Sequence, residues 1–155
     1  MKIEKKLSEL GYVLPDAQGP KASYVVVKRH KELIFTAGMS AFDGDELRFK
    51  GKVGRDLGVQ EGYESARLTA LNLLSVLKQE VGNLDIIKGI VKLLVFINCT
   101  EEFTEHPTVA NGASDLLWEV FGDNAAHVRS AVGVNSLPMN CSVEIEMIVE
   151  TNSGE

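Results

Sequence analysis

A two-layer α+β domain, with two helices packed on one face of a mixed β-sheet, is the architecture this sequence predicts. Three observations carry it. Residues 59–81 repeat apolar side chains at helical spacing, both ends of the chain hold short alternating runs rich in β-branched residues, and the elements read strand, strand, short strand, helix, strand, helix, strand, strand. A chain of 155 residues fits one domain with a core of its own. Its division is an N-terminal helix and connector over 1–21 and a core over 22–150.

The elements follow in order. Ile3, Leu7 and Leu10 have helical spacing, and Glu4 and Glu9 break the pattern of a secretory signal. Pro15, Gly19 and Pro20 end that helix and make a connector. Tyr24 to Lys28 and Leu33 to Ala37 read as antiparallel strands joined through Arg29, His30, Lys31 and Glu32. Gly38 ends the second strand, where a missing Cβ serves either a bend or the close approach of a ligand. Asp43-Gly44-Asp45 is a turn, and Leu47 to Phe49 a short third strand.

Between Val59 and Val81, Ala66, Ala70, Leu73, Leu74, Leu77 and Val81 form one apolar stripe. Glu61 and Lys78 complement the helix dipole, and Gly82 supplies the stop. Gly51 to Asp56 lacks the Gly-Lys-Ser/Thr ending of a phosphate loop, so it reads as a loop in which Lys52 and Arg55 shape an entrance. Ile86 to Asn98 is nearly continuously apolar, which calls for cover on both faces. Helices cover one face, and a second subunit is the economical cover for the other. Pro107 suits the first turn of a second helix, whose stripe is Leu116, Leu117, Val120 and Phe121, with Gly122 as its stop.

A hydrophobic fraction of 45% and a charged fraction of 25% are those of a globular domain. The net charge of -6 supplies no general attraction to nucleic acid or anionic lipid, and no apolar run is long enough to span a bilayer, so a cytoplasmic protein is expected. Cys99 and Cys141 sit in or beside apolar runs without metal-ligand spacing and read as two buried free thiols. His30, His106 and His127 share no motif, and neither a metal site nor a cofactor site is expected.

The chemistry concentrates in residues 127–150. In Val143 to Glu150, Val143, Ile145, Met147 and Val149 share one face of a strand, and Glu144, Glu146 and Glu150 the other. The preceding run alternates too, and with its valines inward Arg129 falls on the side of the glutamates. Asn135 to Asn140 reads as the turn of a hairpin joining the two. Arg beside Glu is then either a cross-strand ion pair or a site in which a planar guanidinium grips a carboxylate and a Glu moves a proton.

Arg129-Ser130, Val132, Val134, Leu137-Pro138 and Val143-Glu144-Ile145-Glu146 together resemble the C-terminal signature of the Rid family. These are the reactive-intermediate imine deaminases, also called YjgF-like or L-PSP endoribonuclease proteins. Tyr24-Val25-Val26, Leu33 to Gly38, Asn72 and the Asn111 segment follow in the family's order, so the resemblance runs from about Ala22 to Val149. It implies a chorismate-mutase-like α+β fold, a homotrimer with clefts between subunits, and cofactor-free hydrolysis of 2-imino or enamino acids such as 2-aminoacrylate to 2-keto acids and ammonia.

The resemblance further implies that Arg129 pairs with the substrate carboxylate, assisted by the Ala131 amide. Glu144 orients or activates the water, and Tyr24, Gly38 and Asn111 line the pocket. Asn72 is expected to make a structural hydrogen bond. Ala37 and Ala131 stand where well-known deaminases of the family carry Ser and Cys. That departure sustains a second expectation, a trimer that binds small carboxylates without turning them over. Ribonuclease activity, suggested by one of the family names, is the third.

Overall fold

The computed structural model describes residues 1–152. Helix α1 (Lys2–Glu9) buries Leu7 against the domain. Its first amides are satisfied from a distance: the Asp85 carboxylate accepts from the backbone N–H groups of Lys2 and Ile3, at 2.7 and 2.8 Å. Those bonds hold Asp85 below the usual carboxylate range.

Strands β1 (Val27–His30) and β2 (Leu33–Thr36) pair antiparallel around Lys31 and Glu32, with Lys31 at φ 55°. The expected start at Tyr24 is too early. The Tyr24 amide turns back onto the Ala22 carbonyl at 2.9 Å, and that tight turn prevents an extended strand there. Arg29 and His30 belong to the strand, not to the connection. The short third strand becomes a hairpin of its own, β3 (Phe42–Asp43) with β4 (Glu46–Leu47), outside the main sheet.

Helix α2 (Val59–Val81) has the expected bounds. The Glu61 side chain accepts from the Gly58 amide at 3.2 Å, and Gly82 ends the helix at φ 75°. Strand β5 (Ile87–Asn98), helix α3 (His106–Phe121), strand β6 (Val128–Val134) and strand β7 (Val143–Thr151) complete the chain.

The five-stranded sheet has the order β1-β2-β7-β5-β6, with β5 and β6 parallel and the other neighbours antiparallel. Ile34, Leu93, Val95, Ile97, Ile145 and Met147 are buried beneath Leu73, Leu74 and Leu77 of α2 and Leu116 and Leu117 of α3. Each such side chain contributes about 1.5–3 kcal/mol by leaving water. The opposite face carries Phe35, Val132 and Glu146 in the open and Leu94, Phe96 and Ile148 half-buried.

The hairpin expected between β6 and β7 does not form. The helix α3 crossover makes β6 parallel to β5, and β7 lies on the other side of β5, so one whole strand separates them.

Candidate functional site

Strand pairing places Arg129 beside Leu93 and Ala131 beside Val95, on the face covered by helices. Glu144 pairs with Phe96 and Glu146 with Leu94, on the open face. Arg129 is therefore not on the side of the glutamates, and a cross-strand ion pair between them is impossible within one chain. The expectation assigned valines inward, but β6 is an edge strand. Its helix-facing residues have to be small where α3 begins: a Cβ on Gly133 would lie 2.6 Å from His106 Nε2 and 2.8 Å from Cys99 Sγ.

Helix α3 supplies the support for Arg129. Nη1 donates to Asn111 Oδ1 at 2.8 Å and to Ser114 Oγ at 2.9 Å, which uses both of its hydrogens. Ser114 is buried, and its oxygen also lies 2.9 Å from His127 Nε2, while His127 Nδ1 meets the Ala125 carbonyl. A carbonyl only accepts, so Nδ1 carries the proton and Nε2 accepts from the Ser114 hydroxyl. The chain of donors runs in one direction from Arg129 to Ala125. Among the described residues Nε and Nη2 of Arg129 have no partner, which leaves the side-on fork that matches a carboxylate.

Glu144 lies on the other side of the sheet, in a cavity of about 230 Å³ that it shares with Tyr24, Val26, Gly38, Met39, Phe42 and Met139. Gly38 is required by this carboxylate: a Cβ there would stand 2.8 Å from Glu144 Cδ and Oε2. Burial, and secondarily the charge of Glu146, raise the Glu144 pKa above the ordinary carboxylate value. A carboxyl group that holds its proton more readily than an exposed one is suited to proton transfer.

The expected site residues thus fall into two groups. Arg129, Asn111 and Ala131 gather along β6 and α3; Tyr24, Gly38 and Glu144 gather at the cavity. Sequence reasoning missed Ser114 and the role of His127. Ser114 does lie three residues after Asn111, a helical spacing that puts both on one face. It also missed Asn98, which is buried at the end of β5. Its Nδ2 donates to Asn140 Oδ1 at 3.1 Å and to the Cys141 carbonyl at 3.2 Å, and its Oδ1 accepts from Lys52 Nζ at 2.8 Å.

Lys52 also reaches the Asn135 carbonyl, and Arg55 pairs with Asp56, so neither cation borders the Glu144 cavity as an entrance. Asn72 makes the structural bonds expected of it, to the Phe42 and Leu68 carbonyls at 2.8 and 3.0 Å. Cys99 and Cys141 are free and buried. No group of three His, Cys, Asp or Glu side chains is gathered for a metal among the described residues, and none of their helices is long and apolar enough to cross a membrane.

A mixed sheet with β5 and β6 parallel, covered by helices on one face only, defines the chorismate-mutase-like α+β class. Residues 4–151 match the family model described as "YjgF/chorismate_mutase-like, putative endoribonuclease". The chain belongs to this YjgF/Rid family. It is 38% identical over 153 residues to protein TCP17 of Trypanosoma cruzi, covering 98% of this chain and 96% of that one. A solved structure described as a putative endoribonuclease from Shewanella oneidensis superposes with a TM-score of 0.94 at 31% identity, over 97% of this chain and 99% of that one. The Rid-family protein YyfA of Yersinia pestis shares the fold, with a TM-score of 0.62 at 21% identity over 88% and 94% of the two chains.

Proposed function

We propose that this protein hydrolyses 2-imino and enamino acids to 2-keto acids and ammonia, at sites shared between copies of a homotrimer. The observation that carries the reading is the separation of Arg129 from Glu144. A carboxylate-gripping fork and a proton-transfer group on opposite faces of one sheet serve one substrate only if two copies meet. The open face, where the apolar Phe35 and Val132 are exposed beside Glu146, offers the surface for that meeting.

Arg129, with the Ala131 amide beside it, holds the substrate carboxylate through Nε and Nη2. From the adjoining copy, Glu144 takes a proton from water as its oxygen adds to the imine carbon. It gives that proton to the imine nitrogen, forming a carbinolamine, then takes the hydroxyl proton and passes it to the same nitrogen as the carbonyl forms, the C–N bond breaks and ammonia leaves. Tyr24 and Gly38 bound the pocket on the Glu144 side, and Asn111 holds the guanidinium. The residues perform positioning and proton transfer, which suffice for this reaction.

The test is keto-acid release from freshly generated 2-aminoacrylate, with spontaneous hydrolysis subtracted. Wild type accelerates release and Arg129→Ala does not; equal acceleration by the variant refutes the role of Arg129. A second reading, carboxylate binding without turnover, is favoured by the fact that the Arg129 fork is assembled by Asn111 and Ser114 without help from Glu144. Binding of keto acids with no turnover of any imine would select it. Ribonuclease activity is disfavoured by the net charge of -6.

A further inference from the structure

We infer that the cavity beside Glu144 selects 2-imino acids with a bulky apolar side chain, branched aliphatic or aromatic, and that the segment before β1 builds the selecting wall. The inference rests on the imino-acid reading above. The cavity measures about 230 Å³, whereas an apolar cavity of about 150 Å³ is enough to bind benzene. On that reading Arg129 holds the substrate carboxylate from the adjoining copy, which leaves this space to the substrate's side chain. An imino acid with a single methyl group would leave most of the volume as water against apolar walls, which favours a larger occupant.

The lining is of the right chemistry. Val26, Met39, Phe42 and the ring of Tyr24 present carbon, and Glu144 is its one carboxylate. Gln18, Gly19, Lys21 and Ala22 close one side from the connector. That connector is fastened down: Gln18 Nε2 donates to the Gly44 carbonyl at 3.0 Å, and Lys21 Nζ lies 5.2 Å from the centre of the Phe42 ring.

Met139 lines the same cavity although it is 52% exposed. It is held there by two successive non-glycine residues with left-handed backbone, Met139 at φ 57° and Asn140 at φ 58°. Asn98 and the Gly51 amide, bonding Asn140 Oδ1 and its carbonyl at 3.1 and 2.8 Å, fix that conformation. The disfavoured backbone so held keeps a polarisable thioether at the cavity rim, where it suits contact with an apolar ligand.

The experiment generates imino acids in situ from L-alanine, L-leucine and L-phenylalanine with an L-amino-acid oxidase and catalase. It measures enzyme-dependent keto-acid release for each. Burial contributes about fourfold in kcat/KM per methylene, so the leucine-derived imine is expected to exceed the alanine-derived one by at least about tenfold. Ala22→Trp, at an exposed position on the wall, should cut that ratio about tenfold or more by filling the cavity. Met139→Gly, whose left-handed backbone suits glycine, should lower it about threefold or more by removing the wall. Equal or faster release from the alanine-derived imine overturns the inference and leaves the hydrolase reading standing. No acceleration with any imine overturns both. A leucine-to-alanine ratio unchanged in both variants overturns the assignment of the wall.

Discussion

Ser114 Oγ accepts from Arg129 Nη1 at 2.9 Å, and this contact decides which edge of the guanidinium is offered to a ligand. With Nη1 committed to Ser114 and Asn111, the guanidinium is held in one orientation, with Nε and Nη2 presented together. Ser114→Ala removes one of the two restraints and leaves His127 Nε2 without its donor. A hydrogen bond to a charged group contributes about 1.5–3 kcal/mol, so affinity for a keto acid such as 2-oxobutanoate should fall about tenfold or more by calorimetry. Arg129→Lys keeps the charge and loses the fork, and should weaken binding further than Ser114→Ala does.

Gly38→Ala tests the other half of the site. The added methyl would stand 2.8 Å from the Glu144 carboxyl carbon, and the flexible end of the Glu side chain must swing aside. The folded structure survives such a shift with little loss, but a catalytic group displaced by about 1 Å can cost about 100-fold in rate. The expected result is a thermal midpoint close to wild type together with a kcat about 100-fold lower. An unaltered kcat would mean that the position of Glu144 is not used.

The pH dependence follows from the raised Glu144 pKa, whose larger cause is burial and whose smaller cause is Glu146. In the proposed role of base, Glu144 would work ionised, so kcat should rise with pH through a value above the ordinary carboxylate one. Glu146→Gln removes the smaller cause and should move that limb to lower pH. Stability has the opposite sign. Between the unfolded and the higher folded pKa the native state keeps a proton that the unfolded state releases, so stability falls as pH rises through that window. Glu144→Gln should therefore raise the melting temperature above the window and leave it unchanged below, which melts on either side would reveal.

These tests turn on features that differ in how far local sequence specifies them. The bounds of α2 were legible because period, first-turn Glu61, last-turn Lys78 and Gly82 agree over Val59–Val81. The sheet partner of β6 was not, since Asn135 to Asn140 has the chemistry of a turn whether or not the strands it joins are neighbours. The face of Arg129 was inverted for a related reason. Ala131 and Gly133 look like a solvent face in sequence, whereas Ala131 packs against the core and Gly133 leaves the room taken by His106 at the start of α3 and by Cys99. The Arg129 and Glu144 motifs were legible as chemistry, but their placement on opposite faces follows from the register of β5 with both neighbours.

Asn98 is the clearest residue whose importance only the fold discloses. It is 1% exposed and ties the Lys52 ammonium to the turn before β7. Asn98→Leu leaves the Cys141 carbonyl and Asn140 Oδ1 without their donor, and the Lys52 ammonium with the Asn135 carbonyl alone. A buried group so orphaned costs about 1–3 kcal/mol. Chemical denaturation should show a loss of at least about 2 kcal/mol, with the Met139 turn losing amide protection before the rest of the sheet.

The open face supplies the last test, because it links assembly to chemistry. Val132 is 42% exposed and lies across β5 from Glu144, with Phe96 paired to both. A carboxylate placed there by Val132→Asp would be solvated in an isolated chain, so the monomer should remain folded with its circular dichroism intact. In an assembly closed over this face, the same carboxylate would be buried without a partner, at a cost of several kcal/mol per subunit. Light scattering should then find a trimer for wild type and a monomer for the variant, and turnover should vanish although Arg129 and Glu144 are both untouched. Activity would return on mixing inactive Arg129→Ala with inactive Glu144→Gln, since a mixed trimer contains a boundary with both native residues. Failure of that mixture to recover any turnover, with mixed trimers present, would show that the two residues do not act on one substrate from neighbouring copies.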